Sequence, residues 1–166
     1  MDSAPIYDCC MEKENQRFRY RAGAIIVKDK RMLFVKSKFG GYYYMLGGCV
    51  HLGEDSKTCI EREVFEETGV RCATRRAAVI CENFFLGKGG SIDGKECHVL
   101  EYYYLMDFPD NAAFNSETDD SEELVWLPID ELMQYDIRPA FLKEMLFDVI
   151  KGKPLFHVIN DERAAK

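Results

Sequence analysis

No two cysteines in this chain stand in a C-x-x-C spacing, although there are seven: Cys9, Cys10, Cys49, Cys59, Cys72, Cys81 and Cys97. An odd, dispersed set argues against a zinc ribbon and against a disulfide framework. It points to reduced thiols in a cytoplasmic protein. The N-terminus lacks a long apolar run and carries Asp2, Asp8, Glu12 and Glu14, which excludes an ordinary signal peptide or a membrane span. Positive charge is not in excess. With a net charge of -7, nucleic acid is an unsuitable general partner. Internal repeats and low-complexity segments are also missing. What remains is a chain of 166 residues, nearly half apolar and about a third charged. That suits a single domain, with a core expected over about 18–151, able to bury its apolar surface without disulfides.

Turn signals divide the chain into short elements. Met1 to Gln16 reads as a loose lead-in or an edge element. Tyr20 to Val27 and Met32 to Val35 read as a hairpin broken at Lys28-Asp29-Lys30. Phe39-Gly40-Gly41 is a turn, Tyr42 to Leu46 a short strand, and Gly47-Gly48 with Gly53 mark a loop. Ser56 to Thr68 is expected to be helical, capped by Asp55 or Ser56 at one end and by Gly69 at the other. Ala78 to Phe85 and Cys97 to Met106 are strand-like, joined by a glycine-rich loop from Gly87 to Gly94. Leu124 to Leu127 is a further strand. Pro139 to Ile150 has helical periodicity, with Phe141, Leu142, Met145, Leu146 and Ile150 on one side. Strands on both sides of one well-marked helix, without a run of βαβ units, predict an α+β fold or α/β/α sandwich with a mixed sheet.

The first helix breaks a local preference. At about 100° per residue, Glu66, Glu63 and Glu67 fall within an arc of roughly 100°, with Ile60 and Val64 beside it. Glu63 and Glu67 are like charges at i,i+4. They lie toward the helix C-terminus, where the macrodipole also opposes negative charge. Any one glutamate alone reads as a solvated surface charge. Three that converge form an oxygen cage for a hard cation such as magnesium, and an uncompensated violation of this kind marks a functional site. Glycines upstream permit close backbone approach, so a loop carbonyl there is a further ligand candidate.

Together, Gly48, Glu54, Arg62, Glu63, Val64, Glu66, Glu67, Gly69 and Val70 fill every fixed position of G-x5-E-x7-R-E-U-x-E-E-x-G-U, and the stretch resembles the Nudix box. Tyr20 to Ala24 resembles that family's first core strand, and Glu122 to Pro128 its late strand. The resemblance implies an α/β/α sandwich and a hydrolase that cleaves a pyrophosphate bond in a nucleoside diphosphate derivative, with Mg2+ as cofactor and Mn2+ as a substitute. It implies Glu63, Glu66 and Glu67 as metal ligands with the Gly48 carbonyl, and Arg62 held by Glu54. Glu63 competes for the general-base role with a loop glutamate, Glu122 or Glu123, with Glu117 behind them. Arg21, Tyr42, Tyr43, Phe84 and Phe85 are candidates for substrate contact, although strand aromatics are more often core.

The chain departs from the family's usual pattern in having Leu46 before the Gly-Gly pair and His51 three residues after it. His51 and His98 read more readily as exposed and structural, respectively. No proline lies between Pro5 and Pro109, and no tyrosine follows the box before Tyr102. These absences speak against ADP-ribose and diadenosine-polyphosphate types and favour a MutT-like nucleoside triphosphate pyrophosphohydrolase. ADP-ribose or another nucleotide sugar remains an alternative substrate. A Nudix-fold module that senses a nucleotide without cleaving it is the alternative function. Small nucleotides are the expected partners, with no nucleic acid and no membrane, and a homodimer is left open.

Overall fold

The computed structural model describes residues 6–163. Among these, the chain forms β1 (Cys10–Lys13), β2 (Gln16–Lys28), β3 (Arg31–Lys36), β4 (Tyr43–Tyr44), β5 (Gly47–Cys49), α1 (Ser56–Thr68), β6 (Ala73–Leu86), β7 (Glu96–Asp107), β8 (Glu123–Pro128), α2 (Leu142–Ile150) and β9 (Phe156–Asp161). The sheet runs β4-β3-β2-β7-β6-β9, with β1 and β5 also paired to β2, and β8 to β3. The β2–β7 and β6–β9 pairs are parallel and the others antiparallel. The mixed sheet between two helices is the α/β/α sandwich expected.

Strand alternation builds the two layers. On β2, Ala22, Ala24 and Ile26 turn to one face and join Cys59, Ile60 and Val64 of α1. Ile25 turns to the other and joins Leu142, Leu146 and Val149 of α2. Fully burying a side chain such as Ile60 or Val64 contributes roughly 1.5–3 kcal/mol, enough to dock a helix whose charges disfavour it. The β2–β3 turn is made by Asp29 and Lys30, both at positive φ (48° and 59°), a conformation that matches the twist of the strands it joins.

Several boundaries differ from expectation. Gly47 and Gly48 do not form a loop but belong to β5, paired with Gly23 and Ala22. The close approach explains it: a Cβ on Gly47 would stand 2.1 Å from the Ala22 carbonyl oxygen. The second helix begins at Leu142, not at Pro139. The preceding turn closes by shorter-range bonds, from Leu142 N to Pro139 O and from Lys143 N to Ala140 O. Part of the N-terminal lead-in is an edge strand, β1, while Met1 to Pro5 lie outside the described residues. The parallel strand β9 lies beyond the last element read from the sequence. Among the described residues no helix is long and apolar enough to cross a membrane.

The predicted α1 limits hold at both ends. Asp55 accepts hydrogen bonds from the backbone N–H groups of Lys57 and Thr58, and Gly69 takes the left-handed conformation at φ 73°. Asp55→Ala removes the acceptor for both and should cost about 1 kcal/mol. Urea unfolding measures this as a lower midpoint at unchanged slope, and an unchanged midpoint would show that the cap is redundant.

Candidate active site

The site is organised by Arg62, on the face of α1 that meets β5. Its Nε and Nη2 donate to the two oxygens of Glu54 at 2.9 Å each, Nη1 donates to Glu63 at 2.8 Å and to Glu66 at 3.0 Å, and Nη2 also reaches the Cys49 carbonyl at 3.3 Å. The fork on Glu54 is bidentate, the geometry that a planar guanidinium makes best. It holds the Glu54 carboxyl below the ordinary glutamate range, aided by the His51 N–H. His51 itself stands beside Asp8 and Glu54, at 3.6 and 3.7 Å. Arg62 thus links the loop before α1 to two of its three clustered carboxylates.

Glu63 is placed by the absence of a side chain opposite it. A Cβ on Gly48 would lie 2.3 Å from the Glu63 carboxylate, so a side chain there would displace that carboxylate from its place. The Gly48 carbonyl, expected as a ligand, has another direction. Ala24 N donates to Leu46 O and Val50 N to Tyr20 O, on either side of the Ala22–Gly48 pair. Antiparallel alternation then turns Gly48 O into the ladder toward Ala22. The β5 carbonyls that face away from β2 are those of Gly47 and Cys49.

Glu67 is held differently. One of its oxygens accepts the Asp119 N–H at 3.0 Å, while Asn115 donates to the Glu67 carbonyl at 3.2 Å. Burial lifts the Glu67 carboxyl above the ordinary range; the Asp119 N–H opposes that, and Asp119, Glu63 and Asp120 push it further up. The loop before β8 therefore meets the helix, through residues the sequence reading passed over. Glu122 is buried and accepts from the Tyr44 hydroxyl and, at 3.1 Å, from Lys38 N. Glu123 is exposed beside Lys36 at 3.4 Å, and Glu117 bridges to Glu123. The adjacent pair Asp119-Asp120 was the available signal: two acids at the tip of the loop already suspected.

The substrate-contact candidates are dispersed. Tyr42 lies 6.2 Å from Tyr44, with Arg138 over its ring at 4.4 Å, while Tyr43 packs edge-on against Tyr135 at 5.4 Å. Phe84 stacks on His98 at 4.3 Å. Phe84 and Phe85 face His98 and Cys97, whereas Cys81 is level with Glu101 and hence with Arg21. Four residues of strand put Phe85 about 13 Å from that row, so the two phenylalanines are not gathered with the carboxylates. Arg21 is committed inward: it donates to Glu101 at 3.1 Å and to the carbonyls of Met45 and Gly47 at 3.0 and 3.2 Å. Burial pushes the Cys59 thiol up to about 12 and raises that of Cys49 as well.

Among the described residues, with Arg62 drawing Glu63 and Glu66 to itself, no three acidic, histidine or cysteine side chains stand in a ready ligating arrangement. The donor chemistry nevertheless fits a hard divalent cation. The oxygens of Glu63, Glu66 and Glu67 crowd one helix face, and Glu67, raised first by burial and then by the neighbouring acids, is a carboxylate whose charge a cation would stabilise.

Comparison with known proteins gives the site its context. The model of the NUDIX domain matches residues 17–149. A MutT-like protein of Streptomyces ambofaciens is 38% identical over 50 residues, 30% of this chain and 32% of that protein. The chain spans about a third of the length of the curated relatives it matches. The fold is shared with the MutT mutator protein of Bacillus halodurans (TM-score 0.63, 16% identity, covering 87% of this chain and 91% of that one). It is shared also with an ADP-ribose pyrophosphatase of Streptococcus suis (TM-score 0.57, 15% identity, 84% and 98%).

The upward shift of Glu67, due first to burial and then to its acidic neighbours, makes a signed prediction. Its proton leaves at higher pH in the folded than in the unfolded chain, so stability is lost as pH rises through the folded value. Below the ordinary glutamate range both states hold the proton and the effect vanishes. In chelator and without divalent metal, Glu67→Gln should melt higher than wild type at pH 7, with the gap closing by about pH 4. A lower melting temperature at pH 7 would contradict the upward shift.

Proposed function

This chain belongs to the Nudix hydrolase family, and from that premise we propose that it cleaves a pyrophosphate bond in a nucleoside diphosphate derivative by water attack at phosphorus. The observation that carries the reading is the Arg62 constellation: one guanidinium ties Glu54, Glu63 and Glu66 together while Glu67 faces a loop with two more acids. Nudix hydrolases generally use divalent metal ions. Glu63, Glu66 and Glu67 would hold such an ion, with Mg2+ the natural occupant and Mn2+ a substitute, and the Gly47 carbonyl, which faces away from β2, is a backbone candidate. A cation there would neutralise charge on the phosphate oxygens and lower the pKa of bound water.

The chain's own residues divide the remaining work. Arg62, fixed by Glu54, sets the rotamers of Glu63 and Glu66, the kind of outer support that tunes a metal site. A carboxylate must take the proton of the attacking water. Glu63 and the acids of the 117–122 loop are the candidates, and Asp119 and Asp120 join Glu122 because they are the ones whose charges bear on Glu67. Tyr42, with Arg138 against it, is the better placed of the aromatic candidates for a nucleobase, since Tyr43 is engaged with Tyr135. The substrate is read as a MutT-like nucleoside triphosphate, with ADP-ribose or a nucleotide sugar as the alternative. The shared fold does not choose between them, because one fold hosts many substrates.

Hydrolysis of a nucleotide panel with Mg2+ and with Mn2+, read by phosphate release, tests the reaction. Glu63→Gln and Glu67→Gln should each lower kcat at least 100-fold, and Glu54→Gln by about 10- to 100-fold. Glu61, on the opposite face where it accepts the Thr74 N–H at 3.3 Å, is the control, and Glu61→Gln should retain activity. Inactivity of the wild type across the panel would instead favour a nucleotide-sensing module.

A further inference from the structure

We propose that the buried pair Arg21–Glu101 is a positioning device that clamps β5 from the sheet face opposite α1, holding the backbone around which the carboxylate site closes. The proposal deepens the hydrolase reading and rests on it for its catalytic consequence.

Three observations carry it. The first is an ion pair where packing asks for none. The side chains of Arg21 and Glu101 are only 15% and 5% exposed, beside Met45 and Tyr103, which are buried. Taking both charges out of water is costly, and apolar residues of similar volume commonly serve stability as well or better. The pair therefore calls for a role other than stability.

The second is what the guanidinium does with its remaining donors. One amino nitrogen pairs with Glu101, and the other donates to both the Met45 and Gly47 carbonyls, across the turn from β4 to β5. Glu101 is steadied in turn by Asn83 at 3.4 Å, and Asn83 by Asn160 at 2.8 Å. A side-chain relay thus crosses from β9 through β6, β7 and β2 to β5. Seen with Arg62, the arrangement is two-sided. The outward carbonyls of β5 are each gripped by an arginine, Gly47 by Arg21 on one face of the sheet and Cys49 by Arg62 on the other. Arg21 is balanced by Glu101, and Arg62 by Glu54 together with Glu63 and Glu66.

The third is that β5 needs holding. Gly47 sits at φ 144°, a conformation that only glycine takes readily, and Gly48 must stay bare to admit Glu63. Two adjacent glycines confer freedom that costs order. A rigid fork on the Gly47 carbonyl removes that freedom without filling the space Glu63 uses.

Arg21→Lys is the direct test, since an ammonium keeps the charge but cannot reproduce the fork. It should fold with a melting temperature close to wild type. Amide exchange over residues 45–49 should quicken at least tenfold while β6–β7 amides keep their protection. The Kd for Mn2+, read from the free-ion electron paramagnetic resonance signal, should rise at least threefold, and kcat should fall more than KM moves. The double variant Arg21→Met/Glu101→Leu removes both charges and keeps the volume. It should be at least as stable as wild type and still show the faster exchange and weaker Mn2+ binding. Wild-type exchange and wild-type Mn2+ affinity in either folded variant would overturn the proposal. If the wild type itself binds no Mn2+ and hydrolyses nothing, the hydrolase reading falls separately, while exchange at 45–49 still decides the clamp.

Discussion

Like charges crowd the last two turns of α1, and the structure depends on what balances them. Arg62 supplies one positive charge to Glu54, Glu63 and Glu66, and among the described residues the Glu67 carboxylate has only the Asp119 N–H. The helix has no basic residue in its last turn, so neither a side chain nor the macrodipole offsets the excess. Helix docking through Ile60 and Val64 tolerates the imbalance. A chain of net charge -7 would repel phosphates at this place unless a cation intervenes. That local excess is what a divalent ion, of the kind Nudix hydrolases generally use, would relieve.

The sheet supplies precision to that site from both sides. β5 is three residues long, two of them glycine, and it would be a weak scaffold alone. Its ladder with β2 turns Gly48 inward, its neighbouring carbonyls meet Arg62 and Arg21, and the Glu63 carboxylate fills the space at Gly48 left by the missing Cβ. The loop before β8 adds a third boundary, reaching Glu67 through Asp119 and the β3–β4 turn through Lys38, whose Nζ donates to the Asp120 carbonyl at 2.7 Å.

Much of this was legible from residue order, for identifiable reasons. Local signals placed α1 to the residue: Asp55 caps it, Gly69 ends it, and a helix period set the carboxylate arc. The hairpin at Asp29-Lys30 and the strands flanking the Gly87–Gly94 loop were equally local. Where the structure differs from what residue order suggests, partners distant in sequence decide the outcome. Gly47-Gly48 looks like a loop until β2 pairs with it. Arg21 reads as a ligand contact until Glu101, 80 residues away, is brought beside it by parallel pairing. Phe84 and Phe85 suit a nucleobase by type, but strand register carries them off. In the acidic loop, nearness to β8 favoured Glu122 and Glu123, whereas the loop's curvature offers Asp119 to the helix.

On the proposed reading, the carboxylates of α1 form a specific divalent-cation site. Thermal melts of wild type and Glu63→Gln/Glu67→Gln across a magnesium titration, with sodium at matched ionic strength, test it most directly. A ligand bound only to the native state stabilises it by about 2.7 kcal/mol at a hundredfold excess over Kd. Sodium only screens. The account predicts a saturable rise in the wild-type midpoint with magnesium, little with sodium, and almost none with either in the double variant. If sodium reproduces the magnesium effect, or the double variant keeps it, the glutamates are a solvated face and not a metal site.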